Sequence, residues 1–142
     1  MRHLRLTVPA IAIAVSLLAS GCGTDRAGRD ATSVIRITER DFKIQAPARV
    51  PAGELVLSVR NAGPDDHELI VVRRGDVELP LRADGVTVDE EAVEPITAGA
   101  LEPGEPEHTR ELRVRLPPGR YELICNMSGH YLGGMHARLV VG

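Results

Sequence analysis

From Val34 to the C-terminus, apolar residues recur in short runs that alternate with polar ones or are β-branched, and Gly, Pro and Asp cut one run from the next. The runs are Val34–Thr38, Phe42–Ala46, Leu55–Val59, Glu68–Val72, Glu111–Leu116, Tyr121–Cys125 and Ala137–Val141. None carries a helical period, and a regular pleat puts Leu55, Leu57 and Val59 on one strand face and His67, Leu69 and Val71 on another. Pro51-Ala-Gly53, Asn61-Ala-Gly-Pro64 and Pro117-Pro-Gly119 sit where hairpins or sheet crossings are needed. The pattern predicts an all-β fold of about seven strands, an antiparallel sandwich or barrel. Ala83–Glu107 departs from it: the stretch is acidic, lacks Lys and Arg, and is expected to be an exposed loop excursion with one helical turn near Asp89–Val93.

The N-terminus has another character. Met1–Arg5 is short and basic, Leu6–Leu18 is apolar but interrupted by Pro9, and Ala19-Ser20-Gly21-Cys22 follows. This is the order of an export signal, and the apolar run is shorter than the roughly 20 residues of a membrane span. The tetrapeptide resembles a bacterial lipobox, which implies a signal peptide over 1–21, lipidation of Cys22 and a lipid anchor at an extracytoplasmic membrane surface. Residues 22–32 are small and polar and read as a flexible tether. The folded domain is then 33–142.

Charge and cysteine usage narrow the function. The formal net charge is −3, and the chain is more negative still once Arg2 and Arg5 leave with the signal. With no basic cluster and few aromatic residues, nucleic-acid binding is excluded. Cys125 is the only cysteine besides Cys22, so acylation of Cys22 leaves it without a disulfide partner. An unpaired thiol in an exported protein must be buried, bonded or metal-bound to escape oxidation.

The run Cys125-Asn-Met-Ser-Gly-His130-Tyr-Leu-Gly-Gly-Met135 places a thiolate, an imidazole and a thioether at equal intervals. Such soft and borderline donors suit copper rather than calcium, magnesium or manganese. A trigonal copper site with one Cys needs a second imidazole, and His67, at a strand start after the Asn61–Asp66 turn, supplies it. Gly129, Gly133 and Gly134 allow the tight path that turns His130 and Met135 inward. His108 and His136 read as surface residues.

This arrangement resembles the blue copper (cupredoxin) family of plastocyanin, azurin and rusticyanin, over residues 33 to 142 in outline, with the Cys-x4-His-x4-Met spacing nearest the rusticyanin pattern. The resemblance implies a Greek-key sandwich holding one copper ion, with His67, Cys125 and His130 as equatorial ligands and Met135 as the weak axial one. It departs from plastocyanin at Glu68, where that protein carries Asn. It further implies a single-electron carrier and not an enzyme, with electrons passing through His130 and its neighbours Tyr131 and Leu132 to a redox protein such as a cytochrome or oxidase. A monomer is expected. The alternative is a copper carrier or buffer without a redox role. A multicopper enzyme would need paired His motifs that are absent, and Met is a poor zinc ligand.

Overall fold

The computed structural model describes residues 32–142, and within them nine strands form two sheets. The signal peptide expected over 1–21 and the acylation expected at Cys22 lie outside the described residues. The first sheet runs β2 (Lys43–Gln45), β1 (Ser33–Arg40), β4 (Gly53–Asn61), β7 (Thr109–Leu116). The second runs β3 (Arg49–Val50), β9 (His136–Val141), β8 (Gly119–Ile124), β5 (His67–Arg73), β6 (Thr97–Gly104). Both sheets are mixed, because β1 pairs parallel with β4 and β3 parallel with β9.

Alternation decides which face of each strand turns inward. Leu55, Leu57 and Val59 of β4 are buried, and they meet Leu69 and Val71 of β5 and Leu123 of β8 in one core between the sheets. Each such side chain contributes roughly 1.5–3 kcal/mol by leaving water. Tyr121 stays in that core by donating its hydroxyl to the Pro117 carbonyl at 2.9 Å, which satisfies its only polar atom.

The acidic stretch differs from the expected exposed excursion. Thr97–Gly104 is strand β6, which extends the second sheet beyond β5. The preceding residues bury Val88 and Val93 on the outer face of that sheet, against Ile70, Val72, Ile124 and Tyr131. The reason lies in β5 itself: Leu69-Ile70-Val71-Val72 is a continuous apolar run, so both of its faces need cover. The helical turn is present as α1 (Glu90–Val93), with Asp89 accepting the Ala92 N–H at 3.3 Å as its N-cap. Strands β3 and β6 bring the count above the seven the pattern predicts.

One polar cross-link joins the sheets at their edge. Glu39 of β1, fully buried, receives Arg110 at 2.7 Å, and the same guanidinium donates to the Glu102 carbonyl of β6. Burial pushes the Glu39 carboxyl up to about 7, against the pull of Arg110.

Candidate metal centre

The antiparallel pairing of β5 with β8 aligns Ile70 with Ile124. The start of β5, His67, and the residue just past β8, Cys125, therefore lie at the same end of the sandwich. The chain after Cys125 folds back over that end in a tight hydrogen-bonded loop. The His130 N–H donates to Met127 at 2.8 Å, Gly133 to Gly129 at 2.9 Å and Met135 to His130 at 2.9 Å; the Cys125 N–H closes the loop on the Met135 carbonyl at 3.1 Å. Two of these turns need a left-handed backbone, supplied by Gly129 (φ 79°) and Gly134 (φ 102°).

The result is a compact set of donors. His67, Cys125 and His130 each offer a ligand atom, all within 4.8 Å of one another, and Cys125 Sγ lies 3.5 Å from His130 Nδ1. Met135 is fully buried in the same core cluster as Cys125. His67 is also fully buried, yet neither of its ring nitrogens has a hydrogen-bond partner. Buried polar atoms are rarely left so. Burial holds the His67 imidazole below its ordinary value, reinforced by His130 and opposed by Asp41 and Asp65, so the ring is neutral and has a lone pair to give. Burial pushes the Cys125 thiol up, while the backbone N–H groups of Glu68 and Met127 favour the thiolate. A soft or borderline cation fits this set: it would occupy the unpaired imidazole nitrogen and bring the thiol to its deprotonated form.

The surroundings fix the donors. Asn61, fully buried, accepts the Gly63 N–H at 3.0 Å and donates to the Asp65 and Gly104 carbonyls at 2.7 and 2.9 Å, which sets the turn that delivers His67. Asn126 holds the other ligand segment, with Oδ1 accepting the Val88 N–H at 2.6 Å and Nδ2 reaching the Val88 carbonyl at 3.0 Å and Glu90 at 2.8 Å. Glu68 faces the Asn126 N–H, which favours its carboxylate form. Burial, with Glu90 nearby, raises the Glu68 carboxyl above its ordinary value.

Of the residues proposed for electron passage, His130 is half-buried and Leu132 is exposed, while Tyr131 is buried and packs with the outer cluster beside His136. The exposed aromatic ring at His130 is instead Phe42, from the β1–β2 turn, edge-on at 5.4 Å between centroids. A Cβ at Gly133 would collide with that ring. Sequence reasoning missed Phe42, Asn61 and Asn126 as parts of the site; only Asn61, heading an Asn-Ala-Gly-Pro turn, carried a local signal. His108 is exposed and His136 pairs with buried Glu122 at 3.0 Å, so both stand apart from the cluster.

Solved structures with the same arrangement of strands are blue copper proteins and their relatives. A dithionite-reduced auracyanin from Roseiflexus castenholzii superposes with a TM-score of 0.59 at 21% identity, covering 79% of this chain and 98% of that one. Auracyanin A, a "blue" copper protein from Chloroflexus aurantiacus, gives 0.58 at 20% identity, covering 78% and 99%. Reduced rusticyanin gives 0.56 at 14% identity, covering 79% and 81%. The chain has the cupredoxin fold. At these identities the likeness extends to the fold alone. No protein-family model and no curated protein matches the sequence. Within the cupredoxin frame, the donor cluster occupies the end of the sandwich where β5, β8 and the loop before β9 converge.

Proposed function

We propose that this protein is a type 1 copper protein that carries single electrons between redox partners at an extracytoplasmic membrane surface. The observation that supports it most is the convergence of ligand atoms of buried His67, buried Cys125 and half-buried His130 within 4.8 Å, with Met135 also buried in the core. One copper ion held by these residues would cycle between its two common oxidation states. The chain's part is to keep the donor positions fixed, so that little rearranges when an electron moves: the loop is cross-bonded, Asn61 anchors the turn before His67, Asn126 anchors the loop after Cys125, and the core excludes water. His130, half-buried between Phe42 and the exposed Leu132, is the route by which electrons reach the surface. The partner is a redox protein of the cytochrome or oxidase type that docks on this apolar rim. A lipid on Cys22 and the tether to residue 32 hold the domain near the bilayer, and no helix among the described residues is long and apolar enough to cross a membrane.

Copper titration of the purified protein, followed by visible and EPR spectra, tests this reading. An intense blue thiolate-to-copper band with narrow hyperfine splitting is expected, and Cys125→Ala should abolish it. Tight copper binding without the band would move the protein to copper carriage or buffering.

A further inference from the structure

The turn between β1 and β2 touches the cluster twice. Phe42 lies against His130, and its neighbour Asp41 reaches His67: Asp41 Oδ1 is 3.3 Å from His67 Nε2. Each of those two atoms is buried and without a hydrogen-bond partner, and they face each other. At 3.3 Å the contact is longer than the roughly 2.7–2.9 Å of a well-formed charge-assisted bond. The gap between them is kept open by Gly63, where a Cβ would come within 2.6 Å of the Asp41 oxygen and 2.8 Å of the imidazole nitrogen. The turn is held in a costly conformation, with Phe42 at φ 56°, a left-handed value uncommon for an aromatic residue. Strain of this kind persists where the surrounding structure enforces it.

We infer that Asp41 is a positioning residue for His67: its carboxylate, 3.3 Å from Nε2, draws the ring proton to that nitrogen, favours that tautomer and leaves the lone pair on Nδ1. The inference rests on the proposed copper site for its consequences on a bound ion, but the tautomer itself is a property of the chain. Two effects follow, one geometric and one electrostatic. A fixed ring costs less to order when an ion binds, and a carboxylate against a ligand imidazole makes that ligand more basic. The added negative charge favours the more highly charged copper ion and so lowers the reduction potential. Asp65 also acts on His67, but only through space, and serves as the control.

Long-range nitrogen–proton NMR of the metal-free protein reads the His67 tautomer directly. The wild type and Asp41→Asn, whose amide oxygen still accepts, should show Nε2–H; Asp41→Ala should show a mixture. In the copper-loaded protein Asp41→Asn should keep the blue spectrum while its potential rises more than that of Asp65→Asn. Asp41→Ala should bind Cu(II) about tenfold or more weakly. An unchanged His67 tautomer in Asp41→Ala, or a potential in Asp41→Asn no higher than in Asp65→Asn, overturns the inference. If the wild type forms no blue site, the copper reading falls and the NMR result alone decides the role of Asp41.

Discussion

Glu39 shows how much one side chain can set the pH response of this molecule. Its carboxyl is fully buried and lies at about 7 in the fold against 4.5 in a free chain, because burial outweighs the Arg110 ion pair. A raised carboxyl value means that folding favours the protonated form. Its contribution is fully present below about pH 4.5 and is lost as the pH rises through about 7. The difference is on the order of 3 kcal/mol for a shift of that size. Glu39→Gln keeps the shape and removes the titration, so urea midpoints between pH 4.5 and 7.5 should vary less with pH than in the wild type. An equal slope in both would show that another group dominates. Cys125 works by the same balance of burial against donated hydrogen bonds, but there the compensation is aimed at a sulfur. The thiol is kept out of solvent and is still given two N–H groups, an arrangement wasteful for a core residue and useful for a thiolate ligand.

At the scale of elements, the segment between β5 and β6 changes the picture most. It caps the outer face of the second sheet with Val88 and Val93, and Asn126, the residue after Cys125, fastens it to the ligand loop. Asn126→Ala strands the Val88 N–H and carbonyl and should cost about 2 kcal/mol or more. The Val88 amide should then exchange its proton faster, by a larger factor than amides of β4, when followed by hydrogen-exchange NMR. Equal acceleration everywhere would mean that the cap and the ligand loop are not locally coupled. This segment also marks where reading the sequence stops. Alternation located β1, β2, β4, β5, β7, β8 and β9, because a half-buried strand shows its core face as a period of two. It could not show that the other face of β5 is covered, since a run such as Leu69–Val72 says only that cover is needed, not which segment provides it. The donor spacing from Cys125 to Met135 is local and therefore visible. Asp41 and Phe42 were invisible for the opposite reason: an Asp-Phe pair in a turn has no chemical signature until the fold sets it against His67 and His130.

Taken whole, the molecule has one end where exposed apolar side chains gather around a half-buried imidazole, while the buried Glu39 and its half-buried partner Arg110 sit along its flank. Phe42 and Leu132 are exposed at that end and offer an apolar surface through which two copies can approach each other. Leu132→Glu places like charges face to face in such an encounter. Electron self-exchange between oxidised and reduced copies, read from NMR line broadening, should slow roughly tenfold at low salt and recover as salt is added, with an unaltered visible spectrum. No change in rate would count against the proposed electron route through His130. The hydrogen-bonded loop from Cys125 to Met135 has one more consequence, for the order of assembly. Cys125, His130 and Met135 are close along the chain, so an unfolded chain already offers a partial chelate, whereas His67 joins only when β5 pairs with β8. A metal that grips the unfolded loop stabilises both states, and the net gain on loading shrinks to what the arrival of His67 adds. With the proposed copper site, folding in excess copper is therefore not simply helped by the ion: the ion would be captured first, and the sandwich would then have to close around it.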